Sequence, residues 1–454
     1  MPKSPYPTLA GQARALRDGQ HSATALAEEA LARAADPAGE GARVFIKRYP
    51  ERARAQAQAA DTLRQAGLAR SAIDGLPISI KDLFDVAGDV TLAGSVALRD
   101  AAPASRTASV IQRLEAAGAV IVGRTNMTEF AYSGLGINPH YGTPRNPWDR
   151  AAGRIPGGSS SGAAVSVTDG MASAAIGSDT GGSVRIPAAL CGLAGFKPTA
   201  RRVPMDGVLP LSASLDSIGP LAPTVRCCAT LDAIMAGEDE RAIPEPVALR
   251  GLRLAVPTTL ALDGMDETVA TAFQDAVRRL ADAGVAITEI AVPEFAELAA
   301  INAKGGFSAA EAYAWHRALI ARAQAAYDPR VVSRILRGKD MSAADYLDVL
   351  AARAAWTQAV NARTAGFDAM LMPTVPVVAP LIDALSAADE AYYGANGLIL
   401  RNPTLINFLD GCALSVPCHA SATAPVGLMI AARAGEDRRV LAIGMAVEAA
   451  LQMD

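Results

Sequence analysis

The chain has 454 residues, of which 51% are hydrophobic and 19% are charged, enough apolar material for an extensive core and too much for a disordered chain. Lys and Arg total 42 against 46 Asp and Glu, and no basic block occurs, so nucleic acid is not expected as a partner. The sequence contains no long uncharged apolar run and no secretory signal, so we expect neither a membrane span nor export. Five scattered cysteines without a CxxC pair favour a reduced, cytoplasmic setting.

The N-terminal part predicts two helices and then a buried strand. Ser22 is a suitable cap for a helix over Ala23–Ala34, and an Ala- and Arg-rich helix covers Glu51–Ala66. The pattern then changes to the short apolar run Leu76–Ile80, which leads directly into Lys81.

Helix, glycine and strand then follow one another twice along the chain. Thr107 is expected to cap a helix over Ala108–Ala117, and the strand Ala119–Gly123 follows a glycine. Further on, the strand Leu252–Val256, a long amphipathic helix and the strand Val285–Ile290 complete a β–α–β unit. Such units predict an α/β fold with a large mixed, mainly parallel central sheet and helices on both faces.

Two later regions differ from this pattern. Residues 146–223 are rich in Gly, Ser and Pro yet contain core-like apolar runs, which favours a tightly turned active-site region. Residues 294–366 are predicted to be purely helical. We therefore expect a single domain, 1–454, with a catalytic core over 72–223 and a helical substrate-side appendage over 294–366.

Common cofactor and metal motifs are missing from the sequence. None of the four histidines stands in an HxxxH or HxH arrangement, and neither a Walker A pattern nor a GxGxxG after a strand occurs. We therefore expect no cofactor and no metal. The stretch Gly158–Gly162 matches the GxSxG nucleophile elbow, but no buried strand precedes it, as that motif requires.

A second Ser/Gly cluster is chemically more informative. Small residues surround Ser183, so that the backbone N–H groups of Thr180, Gly181, Gly182 and Ser183 can converge on one concavity and form an oxyanion hole. From the residues alone, a Gly-rich turn with a capping serine remains an open alternative.

A serine nucleophile needs a base, and lysine serves only when it is neutral. Lowering a lysine pKa from about 10.4 to about 7–8 requires burial worth roughly 4 kcal/mol. Lys81 is the candidate because it ends a predicted buried strand. An ion pair of Lys81 with Asp82 or Asp85 is the alternative.

Several long motifs in order resemble the amidase signature family over nearly the whole chain. They are LPISIKDLFDVAG, GAVIVGRTNMTEFAYSGLGINPHYGTPRNPWD, PGGSSSGAAV, GSDTGGSVRIPAALCGLAGFKPT, SLDSIGPLAPTV, FDAMLMPTVPVVAP and NFLDGCALSVPC. The resemblance implies a Ser–cis-Ser–Lys triad. Ser183 is its nucleophile, Ser159 its relay with a cis peptide to Gly158, and Lys81 its base.

The resemblance also implies an acyl pocket lined by Ala131, Tyr132 and Ser133. Supporting roles fall on Asp179, Arg185 and Ser160. For each of these three a structural role is equally open: a stabilised turn, an Asp–Arg ion pair or a loop hydrogen bond.

The leading functional hypothesis is a free-standing amidase that hydrolyses the C–N bond of a small amide. The alternatives are an allophanate-hydrolase-like enzyme and the glutaminase subunit of a tRNA-dependent amidotransferase. Those subunits carry an acidic residue seven positions before a C-terminal motif asparagine, whereas here Leu400 precedes Asn407 at that spacing. A binding protein without catalysis is disfavoured because all three triad residues are present. The expected partner is a small-molecule amide, and a homodimer is an open alternative to a monomer.

Overall fold

The computed structural model describes residues 5–452, which contain eleven strands and sixteen α-helices. The strands are β1 Phe45–Arg48, β2 Pro77–Lys81, β3 Val120–Thr125, β4 Ala174–Asp179, β5 Ala194–Lys197, β6 Ser217–Ala222, β7 Arg253–Pro257, β8 Ala286–Ile290, β9 Ala369–Pro373, β10 Cys412–Pro417 and β11 Gly427–Ala432. The helices are α1 Leu9–Arg17, α2 Ala23–Ala35, α3 Gly41–Val44, α4 Pro50–Gln65, α5 Ser109–Ala116, α6 Ser161–Thr168, α7 Arg185–Cys191, α8 Val225–Ala236, α9 Glu267–Asp282, α10 Glu294–Ile301, α11 Gly306–Ala323, α12 Pro329–Leu336, α13 Ala343–Thr364, α14 Ile382–Ala387, α15 Asp389–Phe408 and α16 Asp437–Leu451.

All eleven strands form one mixed sheet in the order β1-β3-β2-β4-β6-β5-β10-β11-β9-β7-β8. The predicted α/β class with a large mixed sheet is confirmed, but the expectation of a mainly parallel sheet needs correction. Four strand pairs are parallel and six are antiparallel. The β–α–β unit expected from the sequence, β7–α9–β8, is indeed parallel, and the other predicted helix–strand segment, α5–β3, adds a strand parallel to β2. Four strands that the sequence pattern did not predict, β5, β6, β10 and β11, make the antiparallel centre.

Helices cover both faces of the sheet. Neighbouring residues of β4 point to opposite sides, as strand geometry requires. Ala175 packs in an apolar cluster with α6 and α7, whereas Ile176 packs in the main cluster with α8 and α16. Since both faces of this strand are covered, its residues are continuously buried and show no alternating pattern in the sequence.

The predicted helix starts agree with the structure in one case and not in another. The Ser22 hydroxyl accepts a hydrogen bond from Ala25 N and caps α2 as expected. Thr107 does not cap α5, which begins at Ser109; the Thr107 hydroxyl instead accepts a hydrogen bond from Ala87 N. The Thr107 hydroxyl therefore bonds to a neighbouring loop and not to the first turn of α5.

Residues 294–366 are helical as predicted and form α10 to α13, with short 3₁₀ turns between some of them. Across the described residues 5–452, no helix combines the length and the apolar character needed to cross a membrane.

Candidate active site

The predicted site residues meet at one edge of the sheet. Lys81 is the last residue of β2 and Asp179 is the last residue of β4. Because β2 and β4 are adjacent and parallel, their carboxyl ends lie side by side, the usual place for a site in such sheets. Ser159 precedes α6 and Ser183 precedes α7, so both serines reach the same edge.

Lys81 is completely buried and bonded to two serines. Its Nζ lies 2.6 Å from Ser159 Oγ and 3.0 Å from Ser178 Oγ. Burial disfavours the charged ammonium and lowers the pKa of Lys81 to about 7, although the charges of Asp179 and Asp216 oppose this shift. Burial therefore favours the uncharged amine of Lys81, the form that accepts a proton.

The alternative ion pairs of Lys81 are absent from the described part of the chain. Asp82 forms an ion pair with Arg124, with 2.8 Å between Asp82 Oδ1 and Arg124 Nε. Asp85 Oδ1 accepts a hydrogen bond from the Thr91 hydroxyl at 2.6 Å. Lys81 is thus held by hydroxyl groups and not by a carboxylate.

The backbone before Ser159 is tightly enclosed. The Gly158–Ser159 peptide bond is cis, and the Ser159 carbonyl accepts a hydrogen bond from Thr128 N at 3.0 Å. A Cβ atom on Gly158 would lie 2.4 Å from Gly136 N, so only glycine fits here. These contacts define where the Ser159 hydroxyl lies relative to Lys81.

Ser160 links the two serine-bearing segments through its backbone. Its N–H donates to the Ser183 carbonyl at 3.3 Å, and its hydroxyl makes only a long contact of 3.5 Å with the Ser178 carbonyl. Ser160 is fully buried. These contacts fit the loop hydrogen bond that was its structural alternative.

Asp179 organises the turn that carries Ser183. Its carboxylate accepts hydrogen bonds from Gly182 N at 2.8 Å and Val184 N at 3.2 Å. This corrects one expected oxyanion-hole donor, because the Gly182 N–H is already used inside the turn. Within the described residues, the N–H groups of Thr180, Gly181 and Ser183 have no hydrogen-bond partner and remain available to a ligand.

A fully buried ion pair supports this turn from behind. Arg185 donates to Asp179 from Nη2 at 2.8 Å and from Nε at 3.0 Å, and Asn407 Nδ2 adds a bond of 2.9 Å to the same carboxylate. Arg185 Nη2 also donates to Asn407 Oδ1 at 2.6 Å. Burial alone would raise the pKa of Asp179, but the Arg185 guanidinium outweighs it and holds that pKa well below its ordinary value.

Thr180 is oriented by a second buried carboxylate. Its hydroxyl donates to Asp216 Oδ1 at 2.5 Å, while Leu211 N and Ser212 N donate to Asp216 Oδ2 at 3.0 Å each. Burial raises the pKa of Asp216 to about 6, partly offset by these hydrogen bonds. The hydroxyl hydrogen of Thr180 is therefore already used in a bond within the protein.

A cavity of about 520 Å³ opens in front of Ser183. The predicted residues that line it together with Ser183 are Ala131, Tyr132, Ser133, Thr180 and Gly181. The predicted residues that are buried and do not line it are Lys81, Ser159, Ser160, Asp179, Gly182 and Arg185. Ser183 is thus the triad candidate that a ligand in the cavity meets first.

Much of the rest of the cavity wall comes from helices outside the motif-rich region, and Leu211, Leu215 and Leu260 add to it from loops. Helices α10, α11, α12 and α15 contribute mostly apolar side chains, among them Phe295, Phe307, Leu400 and Phe408. The sequence analysis did not identify these lining residues: Phe295, Phe307 and Leu400 lie outside the quoted motifs, and the motif that contains Phe408 gave no sign of a cavity. Ser178 and Asn407 were also missed as site residues, since their contacts depend on which strands and helices become neighbours.

A buried amine bonded to a serine hydroxyl, beside a cavity of about 520 Å³, is compatible with a hydrolase of the α/β class. The Amidase family model matches residues 26–441. A 2-amino-5-chloromuconic acid deaminase from Comamonas testosteroni is 38% identical over 406 residues, covering 88% of this chain and 86% of that protein. A glutamyl-tRNA(Gln) amidotransferase subunit from Chloroflexus aggregans is 35% identical, covering 98% of this chain and 96% of that protein.

Solved structures agree with these relatives. The crystal structure of an amidase superimposes with a TM-score of 0.87 at 33% identity and covers 97% of this chain and 99% of that one. The chain belongs to the amidase family, and the predicted resemblance is confirmed.

Proposed function

We propose that this amidase cleaves the C–N bond of a small amide through an acyl-enzyme on Ser183, with Ser159 as proton relay and Lys81 as base. One observation carries the proposal: the Nζ of a fully buried lysine, without a carboxylate partner among the described residues, lies 2.6 Å from Ser159 Oγ. This distance is within the range for proton transfer between a general base and a hydroxyl.

The proposed reaction has two half-reactions. Neutral Lys81 takes the proton of Ser159 while Ser159 takes that of Ser183, and Ser183 Oγ attacks the amide carbonyl carbon. The relay then returns a proton to the amide nitrogen, the C–N bond breaks and ammonia or an amine leaves. Water attacks the acyl-enzyme by the same relay and releases the carboxylate.

The negative charge that develops on the carbonyl oxygen needs donors that are not already bonded. We propose the N–H groups of Thr180, Gly181 and Ser183 for this role, because all three are free within the described residues and all three residues line the cavity. Gly182 contributes by its backbone shape, since its φ of 122° lies in the region that favours glycine. Asp179 and Arg185 are positioning residues that hold this turn.

We further propose that the whole chain is one domain, that its catalytic core spans 72–223, and that residues 294–366 are the substrate-side part of it. In support, Phe295, Phe307 and Arg334 from this helical region line the same cavity as Ser183.

The second candidate function is the glutaminase subunit of an amidotransferase. It is favoured by the 35% identity to a glutamyl-tRNA(Gln) amidotransferase subunit over nearly the whole chain. Leu400 argues against this function. The glutaminase subunits carry an acidic residue seven positions before the motif asparagine, whereas here that position, before Asn407, holds the apolar Leu400, whose side chain lines the cavity.

Ammonia release by the purified chain from a panel of amides, including glutamine, tests the proposal. Ser183→Ala should abolish release, whereas the matched variant Ser161→Ala, which removes a hydroxyl from the neighbouring serine cluster, should retain it. Added hydroxylamine should divert the acyl-enzyme to a hydroxamate. Undiminished hydrolysis by Ser183→Ala would refute the proposed nucleophile. If glutamine were the only amide hydrolysed, and only after a partner protein was added, the result would favour the second candidate.

A further inference from the structure

Three arginines line the cavity in front of Ser183: Arg334, Arg337 and Arg401. No aspartate or glutamate is among the lining residues of the described chain. The cavity wall therefore carries three positive charges, and no lining carboxylate balances them.

None of these arginines makes an ion pair within the described residues; each bonds to neutral oxygen atoms. Arg334 donates to the Tyr132 carbonyl, and Arg337 donates to the Ala303 carbonyl at 2.9 Å. Arg401 donates to Asn402 Oδ1 at 3.0 Å. The fully buried Arg185, by contrast, is paired with the Asp179 carboxylate.

The positions of two arginines relate them to the reacting centre. The Arg334 guanidinium lies over the Tyr132 ring, 4.4 Å from its centre, on the loop expected to hold the acyl group. Arg401 lies on α15 one turn before Thr404, whose hydroxyl contacts the Gly181 carbonyl at 3.4 Å. Both are half-buried, whereas Arg337 is exposed at the cavity mouth.

The surroundings strengthen the pull of these charges on an anion. Most of the wall is apolar, which lowers the local dielectric constant and screens charges less than bulk water does. Burial lowers the pKa of Arg401, and Asp263 opposes that shift without forming an ion pair with it. A ligand carboxylate would supply the missing counter-charge, and guanidinium is well suited to bind it in a bidentate manner.

We propose that the substrate is the monoamide of a short dicarboxylic acid, whose free carboxylate is bound by Arg334 and Arg401 while its amide carbonyl meets Ser183. This inference rests on the proposed amidase reaction and names its substrate class. Ser183 attacks the amide carbonyl, the C–N bond breaks as ammonia leaves, and water then hydrolyses the acyl-enzyme and releases a dicarboxylate. Arg337 at the mouth attracts the anion toward the cavity.

The test compares amides that differ only in the carboxylate: succinamate against butyramide, and fumaramate against crotonamide. For the unaltered enzyme, kcat/KM should be roughly 100-fold higher for the carboxylated member of each pair, as expected for charge-assisted hydrogen bonds. Arg334→Gln and Arg401→Gln should each reduce that ratio about tenfold or more. Arg317→Gln removes the same charge from an exposed position of α11 outside the cavity and should leave the ratio unchanged.

Binding to Ser183→Ala, measured by calorimetry, separates this inference from the proposed reaction. Tighter binding of succinamate than of butyramide, weakened by Arg401→Gln, supports the carboxylate site even if the unaltered enzyme hydrolyses neither compound. In that case only the proposed reaction fails. Equal kcat/KM and equal binding within each pair would overturn the carboxylate site and leave amide hydrolysis by Ser183 standing.

Discussion

Replacing Lys81 with methionine should abolish catalysis and at the same time stabilise the fold near neutral pH. The side chain is fully buried, and burial lowers its pKa from 10.5 to about 7. In the unfolded chain the same lysine holds its proton up to about pH 10.4. Between these two pH values the unfolded state binds more protons than the folded state, so the stability of the unaltered protein rises with pH.

The size of the effect follows from the two pKa values. At about 1.4 kcal/mol per pKa unit, the burial of Lys81 costs roughly 4 kcal/mol at pH 7 and about 2 kcal/mol at pH 9. Methionine removes this cost but leaves the hydroxyls of Ser159 and Ser178 without the amine, a loss of about 1 kcal/mol each. We therefore expect Lys81→Met to be about 2 kcal/mol more stable at pH 7 and nearly neutral at pH 9.

Urea unfolding of both proteins at pH 7 and pH 9 measures this difference. The change of about 2 kcal/mol between the two pH values does not depend on the lost hydrogen bonds, since these contribute equally at both. Other titrating groups cancel because both proteins contain them. A stability difference that is the same at pH 7 and pH 9 would show that folded Lys81 stays protonated, and would refute its assignment as a neutral base.

Three further predictions concern the same site. The kcat/KM of the unaltered enzyme should fall about tenfold per pH unit below pH 7, because Lys81 is then protonated; a flat profile between pH 5 and pH 7 would contradict its role. Asp179→Asn should lower stability by about 3–5 kcal/mol in urea unfolding, since it leaves the buried Arg185 charge without its partner, and an unchanged midpoint would contradict this. Gly182→Ala should lose both turnover and stability, because its Cβ would lie 2.5 Å from Pro403 Cβ at a φ of 122°, and full activity of a stable variant would argue against the described turn.

The sequence identified the fold class and the chemistry of the site to a large extent. Lys81 could be selected because it follows a short, largely apolar run, and Ser183 because small residues surround it. The β–α–β unit over residues 252–290 could also be predicted, since helices and strands differ in the periodicity of their apolar residues. The antiparallel strands could not be predicted, because strands buried on both faces lack an alternating pattern of apolar and polar residues.

The sequence by itself thus determined which groups are available for chemistry and that one of them lies at the end of a buried strand. Only the tertiary structure decided which groups meet. The bond of Lys81 to Ser178 joins segments 97 residues apart, and the contact of Asn407 with the Asp179 carboxylate joins segments 228 residues apart. The unbalanced charge of Arg334 and Arg401 likewise became evident only when α12 and α15 enclosed one cavity, because electrostatic compensation depends on distance in space and not along the chain.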